Sequence, residues 1–358
     1  MDPKIKLGIA AGIIALVAIA SYAALLGSSV AQDNGATPVD QDRIATEVLR
    51  IGYFPNVNHA PAVIGLGRGD FQKALSDIEV KTQTFNAGPS AIEALFANQI
   101  DATFVGPNPA INGYVKSNGD LRIVAGASSG GAVFVVRKDA GINSVEDFAG
   151  KRFASPQLGN TQDVALRAYL LDHGYKTTDK GGNVEVLPVK NPDILTLLLK
   201  KEIDGAWVPE PWGALFLKEG NTKLFLDERD LWPEGKFVTV HLVVRTNYLK
   251  DNPDVIKKLI EANVDETIWM NNHKEEALRV LNAEIEKLTG AKVPEDELKD
   301  AFSRLDITYD PISDSLIESA NDAFNLGFLG EKRPDLSEIY DLTLLNEVLK
   351  EKGLAPIT

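Results

Sequence analysis

Cysteine is absent from the 358 residues. Its absence excludes disulfides, thiolate zinc sites, cysteine nucleophiles and the lipidated cysteine of bacterial lipoproteins. Histidine is scarce: His59, His173, His241 and His273 are the four present, and no pair has metal-ligand spacing. Neither a metal nor a cofactor is expected. Positive charge is in deficit, with 37 Lys and Arg against 51 Asp and Glu and a net charge of −14. A nucleic acid or an anionic membrane surface as main partner would demand a basic face, so both are excluded. A small anion remains admissible, provided that local dipoles hold it.

Signatures of catalysis are missing as well. No Walker sequence occurs. GLGRGD at 65–70 lacks the last glycine of a dinucleotide fingerprint and reads as a helix end. GASSG at 126–130 matches G-x-S-x-G, but Ser128 leads into the strand-like GAVFVVR, whereas a nucleophile elbow needs a helix there. No enzyme is expected.

What is present begins with LGIAAGIIALVAIASYAALL, an uncharged run from Leu7 to Leu26 behind Lys4 and Lys6. At ~1.5 Å per residue such a run crosses one hydrocarbon core as a helix. The readings are an uncleaved anchor or a signal peptide cut after Ser29-Val30-Ala31. Both place the bulk of the chain outside the cytoplasm. A polar tether follows.

Strands and helices then alternate, which predicts parallel sheet with helices on both faces. VLRIGYF, IEVKTQTF and IDATFV read as strands, and PSAIEALFANQ as a helix with Ile92, Leu95 and Phe96 on one face. The order recurs. QIDATFVGPNPA at 99–110 is echoed by EIDGAWVPEPWG at 202–213; Ile100 matches Ile203 and Pro89 matches Pro192 at one offset, and Pro55 matches Pro156 at nearly the same. Two similar α/β lobes are therefore expected in one chain. GAVFVVRKD and FVTVHLVVRTN, strand-like runs at the two ends of the second half, are the expected crossings between them, and the helical remainder is expected to pack on the first lobe.

Ligands of open parallel sheets bind beyond the carboxyl ends of the strands, so the loops that follow each strand carry the candidates. They are Asn58 and His59 in PNVNHAP, Gly88, Pro89 and Ser90 in NAGPS, Gly106 and Asn108 in GPNP, and Ser128 and Ser129 in ASSGG. The second half adds Gly159, Asn160, Thr161 and Gln162 in SPQLGNTQ, Glu210 and Trp212 in PEPW, and His241 on the second crossing. Small residues admit a ligand to the backbone, and Asn, Ser, Thr and Gln offer neutral donors. Asn160 or Thr161 reads as an N-cap, Asp163 suits the helix dipole, and Ser90 stands in capping-box spacing with Glu93. Glu210 can accept from a ligand amine, hold a loop amide or point away. Trp212 can wall an alkyl chain or pack in a core, and each histidine is as readily structural as ligating.

The set GYFPNVNHAP, FNAGPSAIEAL, DATFVGPNPA, SPQLGNTQDVALRAYL and DGAWVPEPWG, in this order and spacing, resembles the solute-binding proteins of ABC importers for nitrate, sulfonates and taurine. The resemblance covers about residues 49–330. It implies an α/β, two-lobed periplasmic-binding-protein type II fold with two interlobe crossings, preceded by the membrane or signal helix. The expected limits are 1–31 for that segment, 32–48 for the linker, 49–134 with 243–358 for the first lobe, and 135–242 for the second. It also implies delivery of the bound solute to a permease driven by a cytoplasmic ATPase. A monomer is expected, and the aromatic Trp212 with the carboxylate of Glu210 suits a small organic anion, an aliphatic sulfonate or a taurine-like compound, more than nitrate. Nitrate, bicarbonate, a thiamine-precursor pyrimidine, or a sensing role are the alternatives. The synthase of that pyrimidine shares the fold, but its cysteine-rich motif is missing here.

Overall fold

The chain is described over residues 47–358 of a computed structural model. The apolar run 7–26 and almost all of the tether lie outside these residues. Among the described residues no helix is long and apolar enough to cross a membrane.

The first three strands, β1 (Val48–Tyr53), β2 (Glu79–Thr84) and β3 (Ala102–Val105), pair in parallel around β1. The polar EVKTQT of β2 is mostly exposed, as an edge strand that resists further pairing should be. By contrast β3, ATFV, is buried throughout, because helices cover both faces of the sheet. The helices are α1 (Ala60–Gly67) and α2 (Asp70–Leu75) after β1, α3 (Gly88–Phe96) after β2, and α4 (Pro107–Lys116) after β3. Ile92 and Leu95 on α3 are buried as expected, but Phe96 is 37% exposed, at the last turn where the helix leaves its neighbours.

β4 (Leu121–Gly130) continues straight into β5 (Ala132–Arg137), which belongs to a second sheet. Gly130 and Gly131 make this passage with φ of +76° and +73°, the left-handed region that glycine enters without penalty. The space is closed to any side chain: a Cβ on Gly130 would lie 2.4 Å from the Arg304 carbonyl oxygen.

The second sheet repeats the first. β6 (Arg152–Ser155), β7 (Glu185–Pro188) and β8 (Gly205–Pro209) pair in parallel around β6. Ile51 faces Ala102 in one sheet as Phe153 faces Gly205 in the other. The helices α5 (Thr161–Asp172), α6 (Asn191–Leu199) and α7 (Trp212–Glu219) follow the three strands in turn. After β9 (Thr222–Asp227) the chain returns through β10 (Val238–Arg245), which inserts antiparallel between β3 and β4. β5 stands likewise antiparallel between β8 and β9. Neither sheet is purely parallel, since the two crossings each enter the sheet that they reach. The expected lobe limits at 134/135 and 242/243 fall within these two strands.

The rest is helical: α8 (Thr246–Asp251), α9 (Pro253–Asn272), α10 (Lys274–Thr289) and α11 (Glu295–Ser303), then β11 (Leu305–Ile307) on the edge of the first sheet, α12 (Ser313–Asn325) and α13 (Thr343–Glu351). These helices border the first sheet, but α11 also packs on α7 and α12 on α5 of the second lobe. α9, α10 and α13 share one apolar core with β1, β10, α1 and α2, while α12 joins α3 and α4 on the opposite face. The second lobe has its own layers, Phe134, Phe148, Phe153 and Trp207 under α5 and Ile194, Leu198 and Phe216 under α6 and α7.

Candidate functional site

The loop between β6 and α5 is pinned from inside. Asp163, fully buried, accepts from the Ser155 hydroxyl at 2.7 Å, the Gly159 N–H at 2.9 Å and the Arg167 guanidinium at 3.0 Å. Its carboxylate thus holds the turn as well as suiting the helix dipole. Asn160 is the N-cap, yet its side chain makes no cap bond. Instead its Oδ1 accepts from the Gly88 N–H at 3.4 Å, at the start of α3 in the other lobe. The N–H groups of Thr161 and Gln162 have no protein partner. The Thr161 hydroxyl, on a residue only 6% exposed, has none either.

These unpaired groups border a cavity of about 30 Å³ between the lobes. Every parallel strand contributes to its lining at its carboxyl end. From the first lobe come Phe54, Asn56, Asn58 and His59 after β1, Asn86 after β2 and Gly106 after β3, with Thr239 and Val240 of β10 alongside. From the second come Asn160, Thr161 and Gln162 after β6, Asn191 after β7 and Pro209 at the end of β8. The starts of α4, α5 and α6 therefore converge on one point, and unpaired first-turn N–H groups with the positive ends of helix dipoles favour an anion there.

No lining residue is charged. His59 is neutral, since burial depresses its pKa to about 3. Its Nδ1 accepts from the Phe54 N–H at 3.4 Å and its ring lies 4.2 Å from the Phe54 ring, so the ring proton sits on Nε2 and that nitrogen is a donor. The Asn58 amide donates to the Gly130 and Gly131 carbonyls, both at 3.1 Å, tying the cavity floor to the first crossing. Its Oδ1 and that of Asn191 are buried without partners and suit a bridging water. At roughly 10–15 Å³ for a water by this measure, the cavity takes a compact oxyanion and little more. Closeness of the lobes limits it: a Cβ on Gly106 would lie 2.3 Å from the Thr161 hydroxyl oxygen.

Of the expected residues, Asn58, His59, Gly106, Asn160, Thr161 and Gln162 line this cavity. The others serve elsewhere. Ser90 begins no capping box, because α3 starts at Gly88 with no side-chain cap; its hydroxyl faces Gln157 at 3.4 Å across the lobes, and Gly88 and Pro89 form the helix start behind it. Asn108 donates to the Ser319 carbonyl. Ser128 lies within β4 with its hydroxyl on the Asn58 carbonyl at 2.8 Å, and the Ser129 hydroxyl accepts from the Phe237 N–H. Gly159 turns the loop with φ of +74°. His241, its pKa lowered by burial to about 4, is bonded through Nε2 to the Pro311 carbonyl at 2.9 Å.

Glu210 is absent from the lining for a physical reason. It is fully buried and engaged, with Oε1 2.9 Å from the Arg304 guanidinium and Oε2 accepting from the Ala214 N–H at 3.0 Å. Burial raises its pKa to about 7 although Arg304 opposes the rise. Trp212 lines a separate groove of about 520 Å³ that shares Phe54, Asn56, Asn86 and Asn191 with the cavity.

Asn56, Asn86 and Pro209 belong to the expected loops PNVNHAP, NAGPS and PEPW without having been singled out, and Phe54, Asn191, Thr239 and Val240 were missed in the sequence. The duplication could have found Asn191, since the offset that matches Pro89 with Pro192 sets it against the candidate Gly88. Thr239 and Val240 carried no signal, since they sit inside an apolar strand.

Two sheets joined by two crossings, with a cavity where all the parallel strands end, define a two-lobed solute-binding fold. The chain belongs to the NMT1-like family, whose model matches residues 42–284. A Bacillus subtilis (strain 168) protein assigned to aliphatic sulfonates binding is 25% identical over 346 residues, 95% of this chain and 97% of that one. The taurine-binding periplasmic protein of Escherichia coli (strain K12) is 27% identical over 57% of this chain and 61% of its own length. Among solved structures, the alkanesulfonate-binding protein SsuA from Xanthomonas axonopodis pv. citri, bound to MOPS, superposes with a TM-score of 0.68 at 17% identity, covering 82% of this chain and 98% of that one. The periplasmic nitrate-binding protein NrtA from Synechocystis PCC 6803 reaches 0.71 at 16% identity, covering 86% and 89%.

Proposed function

We propose that this protein is the extracytoplasmic solute-binding component of an ABC importer and that it grips the head group of a small organic anion, an organosulfonate, between its lobes. The observation that carries this reading is the Thr161 hydroxyl, buried without a partner in a cavity free of carboxylates. An orphaned hydroxyl costs about 1–3 kcal/mol, and an anionic oxygen is the partner that returns most, about 1.5–3 kcal/mol per hydrogen bond. Four neutral donors, the Thr161 and Gln162 N–H groups, the Thr161 hydroxyl and His59 Nε2, then reach the ~8 kcal/mol of micromolar binding without lysine or arginine. The relatives named above, the aliphatic sulfonates-binding one in particular, support the same assignment.

Closure presents a liganded, two-lobed surface to a membrane permease, and a cytoplasmic ATPase drives release. The apolar run at 7–26 holds the protein at the outer face of the membrane. One chain carries the whole cavity, so a monomer suffices. Calorimetry with methanesulfonate tests the assignment: Thr161→Ala is expected to weaken binding roughly tenfold or more, while the melting temperature holds. Equal affinity of the two proteins contradicts it.

A further inference from the structure

An organic anion cannot lie wholly within about 30 Å³; its head fits and its tail must leave. Two grooves adjoin the cavity: one of about 530 Å³ shares only Asn86 and Asn191 with it, and the 520 Å³ groove shares Phe54, Asn56, Asn86 and Asn191, the wider common mouth, which makes the latter the exit. Beyond this mouth the groove turns apolar. Trp212 and Leu215 of α7 stand on one side, and Ile285 and Leu288 of α10 on the other, with Leu288 40% exposed.

The charges around this path have one sign. No Asp or Glu lines the cavity or the groove, whereas Lys190 and Lys292 both line the groove. Lys292 is 3.4 Å from Glu286, outside the lining. Glu210, the acid nearest in sequence to Trp212, is spent on Arg304 and the Ala214 N–H. An ammonium on a tail in this groove would therefore meet lysines and amide oxygens, whereas the carboxylate of Asp193 lines only the neighbouring groove that also adjoins Asn86 and Asn191.

Resting on the head-group reading above, we infer that the tail lies along Trp212, Leu215 and Leu288, and that this groove selects sulfonates with an apolar, amine-free tail longer than two carbons over taurine. Trp212 supplies the wall and the two lysines set the sign of the far end.

Calorimetry on the full chain tests this with methanesulfonate, ethanesulfonate, 1-propanesulfonate, 1-hexanesulfonate and taurine. Hexanesulfonate is expected to bind about tenfold or more tightly than ethanesulfonate, as burial of added methylenes requires. Taurine, an isostere of propanesulfonate with an ammonium for its methyl, is expected to bind about tenfold more weakly than propanesulfonate. Trp212→Ala, and separately Leu288→Ala, should flatten the chain-length series and leave methanesulfonate unchanged, with thermal melts confirming that each variant folds. A flat series in the parent protein, or taurine bound more tightly than propanesulfonate, overturns the inference while methanesulfonate binding keeps the head-group site. Failure of every sulfonate to bind overturns both.

Discussion

Single residues decide what kind of anion the cavity accepts and at what pH. His59 is the titratable group in the lining, and burial holds its pKa near 3. A depressed histidine pKa means that the neutral form persists down to that value, so no charge enters or leaves the cavity through the physiological range. Sulfonates remain fully ionised there as well. Affinity for methanesulfonate is accordingly expected to stay within about twofold from pH 5.5 to 8, far less than the roughly tenfold or more that one lost charge-assisted bond would remove. A steady fall as pH rises past 6.5 would indicate a cationic histidine and contradict this electrostatic picture.

At the scale of elements, the tie between α7 and the α11–β11 corner sets the mechanics of the crossings. Arg304 bridges Glu210 at 2.9 Å and Asp300 at 2.9 Å, while its carbonyl accepts from the Gly131 N–H and the Glu210 N–H reaches the Gly131 carbonyl, both within the first crossing. Arg304→Ala strands a buried carboxylate, which costs about 3–5 kcal/mol. The loss depends on pH with a definite sign. Glu210 has a folded pKa raised to about 7 by burial, so between the ordinary glutamate value and 7 the folded state holds a proton that the unfolded state lacks, and stability falls as pH rises through that window. Removal of the guanidinium raises the folded value further. Denaturant unfolding should therefore show a larger Arg304→Ala penalty at pH 8 than at pH 5.5; a penalty independent of pH would mean that Glu210 stays ionised throughout.

In the proposed function the molecule as a whole works by approach of its lobes. Gly88 with Asn160, Ser90 with Gln157 and Gly106 with Thr161 face each other across the cleft, and the glycines leave no space for a wedge. Gly106 has φ of −69°, which a β-branched residue also adopts, so its substitution obstructs closure more than folding. Gly106→Val is expected to melt near the parent temperature, to lose most of its sulfonate affinity, and to show no decrease in radius of gyration when ligand is added. Compaction equal to that of the parent protein in small-angle scattering would contradict the role of this contact.

The architecture was largely legible in the amino-acid order, because apolar periodicity and the echo of DATFVGPNPA in DGAWVPEPWG are local signals repeated at a fixed spacing. So was the place of Asn160–Gln162 at the junction of β6 with α5, since a strand-to-helix junction needs only its own residues to create unpaired N–H groups. What local order could not convey was which side chains of neighbouring loops face inward. Glu210 and Trp212 are two positions apart, yet one closes a buried tie to Arg304, 94 residues away, and the other opens onto a groove shared with α10. Those assignments depend on partners that only the packing of two lobes brings within reach, and a carboxylate takes the role of whichever cation burial leaves beside it.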